Sequence, residues 1–299
     1  MGKENFADKL LDKINVLKNP TCIGLDPRIE GIPYFLRKKE EKIDKILFNF
    51  NKMINYATCY IVPVFKIQIA FYEKYKERGI KALENTIFYL RKKQKIIIID
   101  GKRNDIGPTA DAYADAYLTK EGFDADAITV NPYLGSDGIN PFIEKAIKYG
   151  KGVFVLVKTS NPSSKDFQDK ILKNGKRLYE EVAKMVNQWG RGTKGKNGYQ
   201  VVGAVVGATY KKEAMILRKI MPKSIFLVPG YGAQGGSAKD VMVNFDKNQK
   251  GAIINNSREI IFAWQSSPYK EKFGPQKFDM AAREATIKMK KDLSCAFQI

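Results

Sequence analysis

Histidine is absent from all 299 residues of the chain. That excludes Ser-His and Cys-His nucleophile pairs, an imidazole general base and any histidine metal ligand. Any catalysis falls to Lys, Asp, Glu, Tyr, Arg or backbone groups. Cysteine is scarce: Cys22, Cys59 and Cys295 are far apart and odd in number, which argues against a disulfide framework and a zinc site. Cys22 and Cys59 lie in apolar strand-like runs and read as small core residues. There is no run of about 18 apolar residues, so no membrane span is expected. Residues 1–6 lack the apolar core of a signal peptide, and Phe6 stands where a myristoylation-type start at Gly2 wants Ser or Thr. A cytoplasmic location is expected. Acidic side chains are outnumbered, 32 against 52 basic ones, for a net charge of +20. The basic residues are scattered, with short clusters at Arg37-Lys38-Lys39 and Arg91-Lys92-Lys93. No stripe interleaved with aromatics stands out, so they read as solvated faces and no nucleic-acid partner is expected.

What the chain does have is the run Ile96-Ile97-Ile98-Ile99 followed at once by Asp100-Gly101-Lys102-Arg103-Asn104-Asp105. Four β-branched isoleucines read as a strand buried on both faces. At its end the period of two puts Asp100 and Lys102 on one side, and Asp105 follows where the chain turns. Acid, base, acid at the end of a buried strand concentrates charge where charge is expensive. The same residues would also suit a solvated strand-to-helix turn, so their neighbours must decide.

Short apolar runs alternate with amphipathic ones, as in a parallel sheet with crossover helices. Strands are expected at 21–25, 60–65, 95–99, 127–130, 153–157, 201–206, 225–228 and 252–255. Helices are expected at about 40–57, 79–93, 108–120, 139–149, 176–189, 209–220, 237–247 and 276–292. The loop 190–198, rich in Gly and Lys, is expected to be mobile. Eight such units at this length predict a single-domain (β/α)8 TIM barrel over 1–299. A doubly wound open sheet is the alternative, but no Gly-x-Gly-x-x-Gly follows the first strand. In a barrel the strand ends converge, and here they carry Asp26, Lys66, Asp100, Lys102, Asn131, Thr159, Pro229 and Arg258. That convergence favours a site over a solvated turn.

After the seventh strand comes Pro229-Gly230-Tyr231-Gly232-Ala233-Gln234-Gly235-Gly236, with four glycines in seven residues. Glycines let backbone N–H groups approach an anion closely. The eighth strand ends in Asn255-Asn256-Ser257-Arg258, a fixed cationic fork. These two loops are the usual phosphate site of such barrels, and Gln234 is placed to bond a phosphate oxygen or the substrate ring.

Taken together, Asp-x-Lys-x-x-Asp, Lys66 and the two anion loops resemble orotidine 5′-monophosphate decarboxylase nearly end to end. Gly24-Leu25-Asp26-Pro27 is similar to the opening motif of that family's longer subgroup. The second strand end, Phe65-Lys66-Ile67-Gln68-Ile69-Ala70-Phe71-Tyr72-Glu73, is similar too. So are Lys158-Thr159-Ser160-Asn161-Pro162, the 229–236 loop and Asn256-Ser257-Arg258. The resemblance implies that Lys102 protonates C6 as CO2 leaves, with Lys66 and Asp100 in an alternating charge chain that also contacts the ribose. Asp105 would complete the tetrad from across a homodimer interface, with Ile106 and Thr109 beside it. Asp26 would hold the ribose, Ser160 or Thr159 would read the pyrimidine edge, and Gln68 and Pro229 would line the pocket. Gln234, Gly235 and Arg258 would clamp the phosphate, and no metal or organic cofactor would be used.

Loss of CO2 from C6 leaves a carbanion with no ring position to absorb its charge, so a preorganised ammonium is the natural stabiliser. A hexulose-phosphate synthase or gulonate-phosphate decarboxylase would share Asp-x-Lys-x-x-Asp but hold an enediolate on Mg2+. The Lys66 position and the Gln234 loop favour the nucleotide enzyme. Residues 160–200 carry no recognised catalytic motif and are expected to form an extended loop and helix insertion on the barrel.

Overall fold

The computed structural model describes residues 3–39, 42–232 and 235–297. Eight parallel strands follow chain order around a closed barrel. They are β1 Thr21–Leu25, β2 Val64–Gln68, β3 Ile96–Arg103, β4 Ala127–Val130, β5 Gly152–Lys158, β6 Gln200–Val206, β7 Ser224–Val228 and β8 Ala252–Asn256. The expected (β/α)8 barrel is therefore the fold observed. β8 returns to β1 with Thr21 opposite Ile254, which leaves no open sheet edge. With helices outside and packed side chains inside, every residue of β1, β6, β7 and β8 is buried.

The helices form where apolar residues recur at helical spacing. In Ile43–Thr58 the stripe Ile46, Leu47, Phe50 and Ile54 faces inward. Phe50 stacks on Phe278 of the closing helix Phe278–Phe297, ring centroids 5.2 Å apart, and on Phe262 at 5.7 Å. The helix Ser136–Tyr149 stops at Gly150, whose φ of 65° is left-handed and whose Cβ would meet the Glu4 carbonyl at 2.5 Å. Only glycine meets both demands. Among the described residues no helix is long and apolar enough to cross a membrane.

Several elements differ from expectation. The second strand begins at Val64 rather than at residue 60, because Ile61 and Val62 donate to the Thr58 carbonyl and extend the turn leaving the preceding helix. The third runs on to Arg103, since its ladder to β4 resumes at Arg103 opposite Val130 after an irregularity. Asp100 and Lys102 thus belong to the strand and inherit its rigidity. The helix expected at 237–247 is one turn, Ala238–Val241, continued as a 3-10 turn, Met242–Asn244.

An N-terminal helix, Phe6–Leu17, had no counterpart in the sequence reading. Asn5 caps it by accepting from the Ala7 N–H at 2.9 Å, and Phe6 packs edge-on against Phe154. Its Asp8 carboxylate accepts the N–H groups of Lys196 and Asn197 at 2.8 and 2.7 Å. The 190–198 loop, expected to be mobile, is thereby tied to this helix. Within 160–200, Leu178–Trp189 is the crossover helix from β5 to β6. The stretch before it holds a 3-10 turn, Pro162–Asp166, and an isolated bridge between Ile171 and Arg177.

Candidate active site

At the C-terminal ends of β2, β3 and β4 a polar cluster forms around one carboxylate. Asp100 is 8 % exposed and all of its bonding capacity is turned inward. Its Oδ2 accepts from Lys66 Nζ at 3.1 Å and from Gln68 Nε2 at 3.1 Å. Its Oδ1 accepts from Lys102 Nζ at 2.7 Å and from Thr129 Oγ1 at 2.8 Å. Lys66 is 4 % exposed and lies 3.7 Å from Asp26 Oδ1 on its other side. The order along the floor is thus Asp26, Lys66, Asp100, Lys102. Two anions and two cations sum to zero, which is how four charges tolerate a largely buried position.

The electrostatics follow from that order. Burial pushes the Asp100 carboxyl up, but the Lys66 and Lys102 ammoniums, with hydrogen bonds from Lys102 and Thr129, outweigh it. The carboxyl is held well below the usual carboxylate range. Burial likewise disfavours the Lys66 ammonium, and Asp26 and Asp100 more than compensate, raising it above the ordinary lysine range. Both groups are charged throughout the physiological range. Burial pushes the neighbouring Cys22 thiol up to about 12, so no thiolate is available there.

Lys102 is the exposed member, with 43 % of its side chain accessible. Its φ of 47° places a non-glycine residue in the left-handed region, a strain on the order of 1 kcal/mol. Two contacts hold it there: its N–H donates to Thr129 Oγ1 at 3.0 Å, and its ammonium rests on Asp100. One threonine hydroxyl therefore fixes both the acid and the base. Thr129 was missed by the sequence reading, although a lone polar residue in Ala127-Ile128-Thr129-Val130 was a visible signal.

Lys66, Asp100, Lys102 and Thr129 line a cavity of about 450 Å³ together with Thr159, Ser160 and Pro229. Its far wall is apolar, made by Leu156, Val205, Leu227 and Phe167. A charged floor under an apolar wall suits a flat ring that carries an anionic group at one edge. Ser160 enters from the end of β5, and Gly207 packs behind it so closely that a Cβ there would lie 3.0 Å from the Ser160 backbone.

The remaining candidates lie elsewhere. The Asp105 carboxylate accepts the Ile106 N–H at 2.8 Å, and among the described residues no hydrogen bond or ion pair joins it to Lys102. Ile106, 52 % exposed, and Thr109 are on the surface leading into the helix Gly107–Leu118. Arg258 is exposed and has no ion pair among the described residues. It lines a second cavity, about 710 Å³, beside Arg28, Gly232, Gly236 and Asn256. Gly235 has φ 89°, and its N–H donates to the Gly232 carbonyl at 2.7 Å, so the loop closes on itself. Gln234 lies outside the described residues. Glu259, also missed from sequence, accepts from Asn256 Nδ2 at 3.1 Å, and its carboxylate lies against Gly232, in the space a Cβ there would take. Among the described residues no three of His, Cys, Asp and Glu gather as a metal-binding group.

The family model for orotidine 5′-phosphate decarboxylase / HUMPS matches residues 20–267. An orotidine 5′-phosphate decarboxylase of Caldicellulosiruptor saccharolyticus is 44% identical over 88% of this chain and 91% of its own length. One from Rhodopirellula baltica is 42% identical over 96% of this chain and 98% of its own. The solved structure of Leishmania donovani OMP decarboxylase superposes with a TM-score of 0.78 at 29% identity, covering 99% of both chains.

Proposed function

The chain belongs to the orotidine 5′-phosphate decarboxylase / HUMPS family, and on that premise we propose that it is a carboxy-lyase of pyrimidine nucleotide synthesis. It converts orotidine 5′-monophosphate to uridine 5′-monophosphate and CO2. The observation that carries the reading is the alternating Lys66–Asp100–Lys102 chain on a cavity floor, with Lys102 Nζ 2.7 Å from Asp100. The longer subgroup is the part of the family its motifs resemble most.

In this reading Lys102 donates the proton to C6 as the C6–CO2 bond breaks, and the bonding pair of that bond remains on C6. The ammonium is held before the reaction starts, so its stabilisation of the developing carbanion requires little reorganisation. Asp100 holds and aims the Lys102 ammonium, while Lys66 keeps Asp100 ionised. The substrate carboxylate, placed over this floor, meets Asp100 and is neutralised as it departs. Protein groups alone supply the stabilisation, without metal or organic cofactor. Asp26 and Lys66 bind the ribose, and Arg258 with the 229–236 loop binds the phosphate. Remote phosphate binding then contributes to the rate by driving loop closure.

Asp105 acts from the second protomer of a homodimer. Supporting this is the exposed apolar surface around it, Ile106 with Tyr133 and Leu134, all accessible in the single chain. The deciding test is the ultraviolet absorbance of orotidine monophosphate mixed with the protein in excess EDTA. Loss of the orotate band with uridine monophosphate as product is expected. Turnover of hexulose or pentulose phosphates with Mg2+, and none of the nucleotide, would replace this reading with that of the sister enzymes.

A further inference from the structure

The stretch from 161 to 169 supplies no group to the proton transfer above, yet it is built around a buried cation. Lys158, at the end of β5, is fully buried. Its ammonium is 2.7 Å from Asp169 Oδ1 and 3.4 Å from Ser164 Oγ, and it stands 4.4 Å from the centre of the Tyr210 ring. A buried ammonium without these partners would be costly, so it dictates where Ser164 and Asp169 lie. Gln168 precedes Asp169 and is thereby turned back on the strand end. Its Oε1 accepts the Thr159 N–H at 3.0 Å and its Nε2 donates to Thr159 Oγ1 at 2.8 Å. The Thr159 hydroxyl spends its own proton on Asn161 Oδ1 at 2.7 Å.

The next residue, Ser160, lines the cavity and has no side-chain hydrogen bond among the described residues. Of the two candidates for the pyrimidine edge, one hydroxyl is consumed and the other is left free. We propose that Gln168 is a positioning residue: its clamp on Thr159, set by the buried Lys158–Asp169 pair, aims Ser160 at the pyrimidine edge of the nucleotide. This rests on the reading that a pyrimidine nucleotide occupies the cavity beside Ser160.

Gln168 is a specificity device, because it acts on the base and not on the ribose phosphate. The test is equilibrium binding of uridine monophosphate and of ribose 5-phosphate to the full chain and to Ser160→Ala, Gln168→Met and the double variant. Each single change should weaken the nucleotide about tenfold, the effect of one net hydrogen bond. Ribose 5-phosphate should bind within about twofold of the parent throughout, since its contacts are elsewhere. The double variant should lose no more than Ser160→Ala alone. Gln168→Glu, which keeps an acceptor for the Thr159 N–H, should recover most of the affinity.

Equal weakening of both ligands by Gln168→Met would show a merely structural residue and overturn the proposal. So would additive losses in the double variant, or undiminished nucleotide affinity in Gln168→Met while Ser160→Ala is impaired. Unchanged nucleotide affinity in Ser160→Ala would instead remove Ser160 from the pyrimidine edge and the clamp's purpose with it.

Discussion

Replacing Lys66 by methionine tests the charge chain most directly, because it removes one charge at nearly constant volume. Lys66 lies between Asp26 at 3.7 Å and Asp100 at 3.1 Å and is itself 4 % exposed. In Lys66→Met, among the described residues, Asp100 keeps the half-exposed Lys102 as its ion-pair partner and Asp26 keeps none. Breaking a buried pair from one side costs about 3–5 kcal/mol at neutral pH. That is a large part of the roughly 5–15 kcal/mol of a typical domain but leaves a folded protein to measure.

The loss should depend on pH, with a definite sign. In the parent, Asp100 is held below its ordinary value of 3.8, so its stabilisation is present above that value and fades as pH falls through the lower, folded one. Lys66 is raised above 10.5, so its contribution is complete below that value and lost only at higher, alkaline pH. In the variant the Asp100 carboxyl loses the Lys66 charge while burial still opposes its ionised form, so it takes up a proton more readily than in the parent. Acid therefore costs the variant less than the parent, the difference being at most about 1.4 kcal/mol per pH unit and carboxyl. Urea unfolding at pH 7 and pH 4.5 should show a gap of several kcal/mol that narrows in acid. A gap below about 1 kcal/mol, or one equal at both pH values, would refute the view that Lys66 holds Asp100 ionised.

Lys102→Ala should lower kcat by about 10³-fold or more, in the range of a lost proton donor, with uridine monophosphate affinity changed only a few-fold. Pre-steady-state turnover and calorimetric binding would check the two halves. Thr129→Val removes the hydroxyl bonded to Asp100 Oδ1 and to the Lys102 N–H. It should reduce kcat about tenfold while KM holds, because the strained Lys102 loses one of its two restraints; a KM effect alone would contradict this. Arg258→Ala should weaken uridine monophosphate by about 10- to 100-fold and leave uridine unaffected, as measured by competition. Mixing inactive Lys102→Ala and Asp105→Ala chains should restore activity through hybrid dimers with one intact site. Absence of recovery after verified subunit exchange would count against Asp105 acting from the partner protomer.

The barrel was legible because most strand residues are buried and form short apolar runs, such as Ile96-Ile97-Ile98-Ile99. Its boundaries were less so, for reasons that lie outside the local pattern. Residues 60–63 are as apolar as a strand, yet Thr58 retains Ile61 and Val62 in a turn through its carbonyl. The helix Phe6–Leu17 packs on β5 by burying Phe6 against Phe154, a contact between residues far apart in the chain. The 190–198 loop has a mobile loop's composition, and what ties it down is the Asp8 side chain from that same helix.

The site divides along the same physical line. Charge at the end of a buried strand is anomalous in one dimension, but Asp26, Lys66, Asp100 and Lys102 read as a site only once a barrel was expected. The barrel then needed only to bring their strand ends together, which a parallel closed sheet does by construction. Thr129 is subtler, since a threonine in a strand is ordinary until its hydroxyl is seen to serve both Asp100 and Lys102. Gln168 and Asp169 give no local signal at all. Their meaning comes from Lys158, a lysine at a strand end that reads like Lys66 but is turned away from the cavity floor and into the 159–169 stretch. Two lysines with the same sequence signature thus take different places, one on the cavity floor beside Asp100 and the other anchoring the 159–169 stretch. The difference between them is the position of their carboxylates: Asp100 on the adjoining strand for Lys66, and Asp169 on the chain that returns over β5 for Lys158.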